Sequence, residues 1–350
     1  ESEMAESRET RTEETPPDRV TIEHVARQAG VSIATVSRVL NGRYGVAPDT
    51  IARVQAVIAD LGYESSLVAR SMRSRRTNLI GIIVADLEPF SAELLKGAAR
   101  ALHDTEYELI VYSGTGRPEH KAGWERRFLS RLHGTLTDGT ILVTPTVVDV
   151  QGDVPVVAVD PHTGPSDLPT VDSQNLEGAA AATQYLIELG HRRIGFMAGR
   201  PDLESARLRE EGYRRALAEA GVDFDPELVK VGGYAPESAK EAAEQLLSLD
   251  DRPTAIFAAN DLSAITTMEV AQEAGISIPA DLSVIGFDNI PESALTDPPL
   301  TTIDQSIQDM GWEAARLLIS LIEGRDEVGD VHVRLPTKLI VRQSCATPPD

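Results

Sequence analysis

The sequence predicts an α/β protein in two parts: a small all-α module followed by a larger two-lobe domain with parallel sheets. Two observations support this prediction. Short amphipathic stretches that end at glycine fill residues 22–62, whereas continuous apolar runs alternate with helical stretches from residue 78 onward. The second pattern is typical of parallel strands buried between helices. The number of alternations suits two lobes better than one.

The composition limits the classes of protein that fit. The chain has 350 residues, of which 41% are apolar, so it can form packed interiors. Its single cysteine, Cys345, excludes an internal disulfide framework and a multi-cysteine zinc site. Residues 1–17 lack the apolar stretch of a secretory signal, and no later run is long enough to span a bilayer. The sequence therefore predicts a cytoplasmic protein with no membrane partner.

The charge of the chain is unevenly distributed. The formal net charge is −22, but residues 19–76 contain nine arginines and four acidic residues, a local charge of +5. Residues 1–18 carry a charge of −5 and are predicted to form a disordered acidic tail. Phosphates respond to the charge within about 10 Å, so a basic module on an acidic chain fits nucleic-acid binding. Ordinary surface variation is the alternative.

The first module is predicted to contain three helices. Thr21 is placed to cap the first helix, while Gly30 and Gly62 are placed to end the first and third. A marginal fourth helix is predicted in the basic segment that follows. The predicted helices cover Ile22–Gln28, Ser32–Leu40, Pro48–Leu61 and Ser66–Arg75.

The first two helices have the spacing of a helix-turn-helix. Ala26 is small where two helices cross, Gly30 lies in the turn, and Val36 and Val39 face inward. The outward face, which would read base edges, consists of Ser32, Ile33, Ala34, Thr35, Ser37 and Arg38. Arg38 suits a guanine edge, and the small or apolar side chains suit thymine methyl groups. Thr21, Ser37 and Asn41 are placed for phosphate contacts. A generic three-helix bundle is the alternative.

The larger domain places polar residues at the ends of predicted strands. Strands are predicted at Leu79–Val84, Leu109–Tyr112, Gly139–Val143, Val154–Val159, Arg193–Met197, Leu228–Val231, Ala255–Ala258 and Ser283–Phe287. Ligands of parallel sheets bind beyond the carboxyl ends of the strands. Four residues lie at or just past such ends: Asp86, Asp160, Asn260 and Asp288.

The segment TIEHVARQAGVSIATVSRVLNG (residues 21–42) closely resembles the headpiece of the lactose-repressor/galactose-repressor family. Gly62-Tyr63 and LVARSM (residues 67–72) resemble that family's hinge helix. The resemblance implies a DNA-binding domain at 19–64 and a hinge helix at 65–77 that contacts the minor groove through Val68, Ala69 and Met72. A flexible basic linker is the alternative for residues 66–76.

The resemblance continues through the larger domain, in four stretches: 187–195, 259–261, 284–289 and 299–303. It implies a periplasmic-binding-protein-like sensor at 78–345, with two lobes crossed by three strands and a ligand in the cleft. Lobe 1 is expected at about 78–171 and 292–319, and lobe 2 at about 172–291 and 320–345.

Matching positions imply that Arg209, Asn260 and Asp288 bind effector hydroxyls, with Asp86 and Asp160 nearby. Phe90 and Tyr234 are expected to close over an apolar ring face. Helix capping by Asn260 and Asp288, a surface ion pair of Arg209, and ordinary packing of the two aromatic residues are the alternatives. The loop at residues 86–91 departs from the family pattern, because Glu88 replaces an asparagine and Ser91 replaces a second aromatic residue.

Together these features predict a transcriptional regulator, expected to be a repressor, whose operator affinity is controlled by a small molecule such as a sugar. A homodimer is expected, although a tetramer stays open, as does the choice between inducer and co-repressor. No cofactor and no metal are expected. A transport protein would have an export signal and no headpiece. An enzyme is not predicted, because the chain lacks a dinucleotide turn, a phosphate loop, a nucleophile elbow and a zinc-spaced histidine pair.

Overall fold

A computed structural model describes residues 20–40, 44–63, 76–114, 123–132, 136–146, 154–164, 168–324 and 332–349. The chain divides into two compact units, Glu1–Arg75 and Arg76–Asp350. The division falls inside the predicted hinge. The predicted acidic tail 1–18, Asn41 and the hinge residues Val68, Ala69 and Met72 lie outside the described residues.

The first unit contains the three predicted helices, α1 (Ile22–Ala29), α2 (Ile33–Leu40) and α3 (Pro48–Leu61). Gly30 and Gly62 follow α1 and α3 with φ of 64° and 57°, a left-handed conformation that glycine adopts at no steric cost. Apolar side chains at helical spacing form one core between the helices. Its fully buried members are Val25, Val36 and Val54.

The second unit is longer and alternates strands with helices. Its strands are β1 (Leu79–Val84), β2 (Glu108–Ser113), β3 (Gly139–Val143), β4 (Val156–Val159), β5 (Thr170–Ser173), β6 (Ile194–Ala198), β7 (Val229–Val231), β8 (Ala255–Ala258), β9 (Ser283–Asp288), β10 (Thr301–Asp304), β11 (His332–Leu335) and β12 (Lys338–Ile340). Its helices are α4 (Pro89–Leu102), α5 (Trp124–Leu132), α6 (Asn175–Glu188), α7 (Glu204–Glu219), α8 (Pro236–Leu247), α9 (Asp261–Glu273) and α10 (Ile307–Glu323).

The strands form two six-stranded sheets, in the orders β11-β5-β4-β3-β1-β2 and β12-β10-β9-β8-β6-β7. Neighbouring strands are parallel, except that β12 runs antiparallel to β10. The first sheet with α4, α5 and α10 is the first lobe, and the second sheet with α6–α9 is the second lobe. Two lobes of parallel α/β structure confirm the predicted fold class.

The chain passes between the lobes three times: from β5 to α6, from β10 to α10, and from β11 to β12. The sequence predicts residues 292–319 in the first lobe and 320–345 in the second, and this assignment is wrong for two strands. Strand β10 pairs with β9 of the second sheet, and β11 pairs with β5 of the first. Both strands have four residues, so their partners, rather than their own sequence, decide where they lie.

Helix α4, whose N-cap is Glu88, is held in place by a close helix crossing. A Cβ atom added at Gly97 would lie 1.8 Å from the carbonyl oxygen of Gln308 on α10. A Cβ atom added at Gly311 would lie 2.0 Å from the carbonyl oxygen of Leu94. Only glycine permits this approach of two helix backbones. The crossing fixes the position of the loop that carries Asp86 and Glu88.

Candidate functional sites

The face of α2 that the sequence predicts to read DNA is largely exposed. Ile33, Ala34 and Arg38 are exposed, whereas Val36 on the opposite side is fully buried and Val39 packs against the core. Ile33 is an exposed large apolar side chain on this face, with 45% of its surface accessible. A row of small, apolar and arginine side chains on an exposed helix matches the geometry needed to read base edges in the major groove.

Three of the predicted DNA-contacting residues also shape the ends of their helices. The Ser32 hydroxyl accepts the backbone N–H of Thr35 at 3.1 Å and lies 2.9 Å from the Thr35 hydroxyl, so Ser32 caps α2. Thr21 is the N-cap residue of α1, and its backbone N–H donates to Nδ1 of His24 at 3.3 Å. These contacts fix the start of each helix. The other residues of α2 form the rest of the exposed side that is predicted to contact DNA.

A cavity of about 630 Å³ lies between the two lobes of the second unit. Its size is within the range typical of small-molecule sites. All seven residues that the sequence proposes for effector binding line it: Asp86, Phe90, Asp160, Arg209, Tyr234, Asn260 and Asp288. The carboxyl ends of both parallel sheets point at this cavity, which is why residues that follow different strands converge there.

Sequence reasoning missed several of the residues that line the cavity: Glu88, Ser91, Thr144, Arg200, Ser205, Glu237 and Gln305. Thr144 follows β3 directly, and Arg200 follows β6 by two residues. Both positions therefore fit the rule that ligands bind beyond the carboxyl ends of parallel strands. Gln305 follows β10, which the sequence pattern does not predict as a strand. Glu88 is visible in the sequence as a departure from the family pattern, but only its place in the cavity gives it a role.

Arg209 occupies the centre of a buried polar network. Its guanidinium donates to Oδ1 of Asn175 at 2.8 Å and to the Ala259 carbonyl oxygen at 2.5 Å. It also lies 3.4 Å from Oδ1 of Asp288 and 3.8 Å from the centre of the Phe287 ring. The alternative of a surface ion pair is excluded by this burial. Arg209 therefore supplies both the counter-charge of Asp288 and one wall of the cavity.

Gln305 ties this network to the crossings between the lobes. Its Nε2 donates to Oδ1 of Asp288 at 2.5 Å, and its Oε1 accepts the Ser173 hydroxyl at 2.9 Å. Ser173 ends β5 at the first crossing, and Gln305 follows β10 at the second. Gln305 therefore links Asp288 to two of the three segments that join the lobes.

The lobes also touch on one side of the cavity. The Ser205 hydroxyl at the start of α7 donates to Oδ2 of Asp160 at 2.9 Å, and the backbone N–H of Glu204 donates to the His162 carbonyl oxygen at 3.0 Å. Nδ1 of His162 lies 3.1 Å from Oδ2 of Asp202. These contacts join the loop after β4 to the start of α7.

Asn260 has the capping contact that the sequence left open as an alternative. Its Oδ1 accepts the backbone N–H of Ser263 at 3.0 Å and caps α9. Asn260 also lines the cavity, so the same residue caps a helix and borders the candidate ligand site. Phe90 lines the cavity while packing against the core of the first lobe.

Burial raises the pKa of several groups in the cavity. The pKa of Glu88 rises to about 7 because of burial and the negative charges of Asp288 and Asp86. The pKa of Asp288 also rises to about 7 through burial, which Arg209 and Gln305 partly oppose. Burial raises the pKa of Asp160 and lifts the pKa of Tyr234 to about 12. Perturbed groups of this kind in a cleft are typical of binding sites.

Strained backbone is concentrated around the same cavity. Thr144, Asp160, Tyr234 and Asp288 have φ of 45°, 48°, 69° and 122°. Non-glycine residues rarely adopt such values, and a β-branched residue such as Thr144 is disfavoured most. Strain of this kind persists where the surrounding structure holds a binding geometry in place.

Within the described ranges, no helix is long and apolar enough to cross a membrane. In the same part of the chain, no three His, Cys, Asp or Glu side chains converge closely enough to hold a metal ion.

Two family models match the chain. Residues 21–66 match the model described as bacterial regulatory proteins, lacI family, and residues 183–345 match the periplasmic binding protein-like domain. The first match covers the three helices of the first unit. The second covers most of the second lobe together with α10 and β11, and both confirm the predicted resemblance.

Relatives match over nearly the whole chain. The HTH-type transcriptional regulator CelR of Thermobifida fusca is 35% identical over 93% of this chain and 98% of its own length. Catabolite control protein A of Priestia megaterium is 35% identical over 93% of this chain and 99% of its own.

Solved structures agree with this result. A complex of the transcriptional regulator CelR with cellobiose is 34% identical, with a TM-score of 0.67 over 93% of this chain and all of the other. The lac repressor dimer bound to operator and the anti-inducer ONPF is 26% identical, with a TM-score of 0.82 over 94% of this chain and all of the other. This chain therefore belongs to the lacI family of bacterial regulatory proteins, a family of DNA-binding transcriptional regulators.

Proposed function

We propose that the chain is a repressor whose affinity for operator DNA is set by a sugar or sugar derivative bound between the lobes. One observation carries this proposal: the seven side chains expected to bind an effector line a single cavity in a chain that also has an exposed helix-turn-helix face. The proposed function includes no catalytic step and no cofactor.

The proposed operator contacts are of two kinds. Arg38, Ile33 and Ala34 read base edges, because they are exposed on α2. Thr21 and Ser32, which lie at the starts of α1 and α2, position the module against phosphates, together with Thr35, Ser37 and Asn41. Val68, Ala69 and Met72 of the hinge are proposed to contact the minor groove, with Met72 as an apolar wedge.

A sugar fits the chemistry of the cavity. Carboxylates accept hydrogen bonds from hydroxyl groups, Asn260 and Arg209 offer amide and guanidinium groups, and Phe90 and Tyr234 supply apolar faces for a ring. The cellobiose complex of CelR supports a carbohydrate as the class of ligand.

The contacts around Asp288 suggest how the effector acts. An effector hydroxyl that bonds to Asp288 competes with Gln305 and Arg209, and Gln305 is bonded to Ser173 at the first crossing. The angle between the lobes then changes, and with it the spacing of the two hinge segments in a dimer. Coupling of this kind is typically about 1–3 kcal/mol, and operator DNA must change effector affinity by the same factor.

We propose a homodimer that binds a near-palindromic operator with one headpiece on each half-site. The dimer bound to operator in the lac repressor structure supports this arrangement. A regulator of chromosomal DNA acts where that DNA lies, so the cytoplasm is the proposed location.

The test is the fluorescence anisotropy of labelled DNA from upstream of the protein's own gene, titrated with the full-length protein over a salt series and a panel of sugars. We expect tight binding that weakens steeply with salt, and a change of about 5- to 150-fold when the correct sugar is present. The same sugar is then titrated by calorimetry with and without operator.

A variant on each surface separates the two halves of the proposal. Asp288→Asn should abolish the response to sugar while operator binding remains, and Arg38→Ala should do the reverse. If the sugar binds with the same affinity with and without operator, the proposed coupling between the two sites is contradicted. If the protein binds all DNA sequences with equal affinity, its proposed role as a sequence-specific repressor is contradicted.

A further inference from the structure

The chain enters the second unit through a segment that is held by several hydrogen bonds. Arg76 and Thr77 are the last residues of the predicted hinge at 65–77, and the structure describes both. Thr77 is buried, and β1 begins two residues later at Leu79. The groups that hold this segment therefore determine where the hinge leaves the first lobe.

One carboxylate, that of Asp138, accepts three hydrogen bonds from this segment. Its Oδ1 accepts the backbone N–H of Thr77 at 2.6 Å and the Thr77 hydroxyl at 2.8 Å. Its Oδ2 accepts the backbone N–H of Asn78 at 2.8 Å. Hydrogen bonds to a carboxylate are roughly twice as strong as those between neutral groups. Asp138 therefore binds both residues that precede β1, and we call these three residues the hinge anchor.

The backbone turns sharply between the hinge and β1. Asn78 has φ of 56°, a left-handed conformation that asparagine adopts more readily than most residues. Its carbonyl oxygen accepts the backbone N–H of Glu108 at 2.9 Å, and the Leu79 backbone N–H donates to the Thr77 hydroxyl oxygen at 3.2 Å. The Leu79 carbonyl oxygen accepts the backbone N–H of Asp138 at 2.8 Å. The direction of the chain here is therefore set by its bonds to neighbouring segments of the first lobe.

The end of α10 lies against the same place. Arg76 donates to the Ile322 carbonyl oxygen in the last turn of α10 at 3.2 Å. A Cβ atom added at Gly139, which follows Asp138, would lie 2.9 Å from side-chain carbons of both Leu318 and Ile322. Leu318 is fully buried in the core of the first lobe, so the hinge anchor is attached to that core.

We propose that Asp138 is a positioning residue for operator binding, because it fixes the point at which the hinge leaves the first lobe. This inference rests on the proposed function, since it concerns a dimer that binds two half-sites through its hinges. Asp138 acts through Thr77 and Asn78 and does not itself contact DNA. A fixed exit in each subunit limits the half-site spacing that the dimer accepts.

The distances involved show why release of the hinge anchor should matter. One inserted base pair moves the two half-sites apart by about 3.4 Å and rotates them by about 34°. Two residues freed from the anchor add up to about 7 Å of chain in each subunit. We therefore expect a dimer with an intact anchor to reject the longer operator, and a dimer with a released anchor to accept it.

The experiment measures the operator spacing that the full-length protein accepts. The upstream DNA is trimmed to the shortest duplex that the protein binds specifically, and a second duplex carries one extra base pair at its centre. Anisotropy titrations give the ratio of the two affinities for the parent chain, Asp138→Ala, Asp138→Asn and a control, Asp104→Ala. Asp104 is an exposed carboxylate of the same lobe that pairs with His103. Each ratio is taken within one protein, so a smaller folded fraction in a variant cancels.

We expect the parent to lose at least about 100-fold in affinity on insertion, because a dimer that reaches only one half-site loses the gain from bivalent binding. In Asp138→Ala this loss should be no more than about tenfold. Its affinity for the unmodified operator should fall about 5- to 30-fold, because the freed residues must be ordered on DNA.

The two other variants separate positioning from a general loss of structure. Asp138→Asn keeps an oxygen for both contacts of Thr77 and loses only the acceptor for Asn78, so its ratio should lie between those of the parent and Asp138→Ala. Asp104→Ala should have the ratio of the parent.

Four results would overturn the inference. If Asp138→Ala rejects the longer operator as strongly as the parent does, the carboxylate does not position the hinge. If the parent accepts both duplexes equally, the hinge exit does not limit the spacing. If Asp104→Ala also accepts the longer operator, the effect does not belong to the hinge anchor. If the parent binds no upstream DNA specifically, the inference and the proposed function fail together, whereas the first three results leave the proposed function standing.

Discussion

The exposed face of α2 and the cavity between the lobes differ in how far apart in the chain their residues lie. The face is formed by residues between Ser32 and Arg38, at the start of α2 and along it, and it lies opposite the buried Val36. The seven proposed effector residues come from six segments between Asp86 and Asp288, and several are buried and bonded to one another. One surface is local, and the other depends on long-range packing.

This difference determines how the two surfaces respond to substitution. A side chain on the face of α2 contributes little to the fold, so its loss should change DNA binding alone. A side chain such as Arg209 holds buried partners, so its loss should change stability and ligand response together. The predictions below range from the largest expected effect to the smallest.

Arg209→Ala should have the largest effect. It leaves Asn175 and the Ala259 carbonyl oxygen without their buried donor and Asp288 without its counter-charge, so we expect a loss of about 3–5 kcal/mol in the free energy of unfolding. The response of operator binding to effector should also disappear. Urea unfolding and anisotropy measure the two effects.

The control for this variant lies on the same helix. Arg214 is exposed and pairs with Glu210 one turn away, so Arg214→Ala should cost no more than about 1 kcal/mol. Similar losses in both variants would contradict the central position of Arg209 in the buried network.

Arg38→Ala should weaken operator binding by about 5- to 150-fold, because a bidentate contact to a guanine contributes about 1–3 kcal/mol of discrimination. Arg38 is exposed on α2, so the midpoint of thermal unfolding should not change. Binding to DNA of unrelated sequence serves as the internal control. An equal loss for operator and unrelated DNA would mean that Arg38 contacts only phosphates.

Glu88→Gln should stabilise the fold in a pH-dependent way. The pKa of Glu88 is about 7 in the folded chain against an ordinary value of 4.5, so the folded state binds the proton more tightly. The stability from Glu88 is therefore fully present below pH 4.5 and is lost as the pH rises through 7. Relative to the parent chain, the variant should gain nothing at pH 4 and about 1–2 kcal/mol at pH 8, after allowance for solvent screening.

Urea unfolding of both proteins across this pH range tests the prediction, with Glu106→Gln as the control for loss of an exposed carboxylate. A gain that is constant from pH 4 to pH 8 would argue against burial and repulsion at Glu88.

Thr144→Gly should have the smallest effect. Thr144 has φ of 45°, which is strained for a β-branched residue, and its backbone N–H donates to the Val159 carbonyl oxygen at 2.8 Å. Relief of the strain, about 1–3 kcal/mol, should exceed the entropic cost of glycine, about 0.5–1 kcal/mol, for a net gain near 0.5–1 kcal/mol. Thr144→Ala keeps a Cβ atom and should show no such gain in urea unfolding. Equal stability of the two variants would mean that the backbone at this position is not strained.

The local parts of the molecule could be predicted from the sequence. The limits of α3 follow from Pro48 at its start and Gly62 after its end, and both positions are as predicted. The ends of β1, β4, β8 and β9 locate Asp86, Asp160, Asn260 and Asp288 by the rule for parallel sheets, and all four line the cavity. Their role in binding stays a prediction.

The connections between the lobes could not be predicted in the same way. The sequence pattern omits β5, β10, β11 and β12, which have three or four residues each and no periodicity long enough to detect. Gln305 could not be identified from the sequence because it follows β10, which the sequence pattern does not predict. It nevertheless bonds to Asp288 and, through Ser173, to the first crossing between the lobes.

By itself, the sequence determined the helix-turn-helix, the alternation of strands and helices, and the polar residues at strand ends. These features depend on neighbours within a few positions, because capping, helical spacing and strand burial are local. Only the tertiary structure decided which lobe each short strand joins, that Arg209 is buried beside Asp288, and that Glu88 lines the same cavity as Asp86 and Asp288. Those features depend on burial and on charges from distant segments, which meet only when the two sheets are packed.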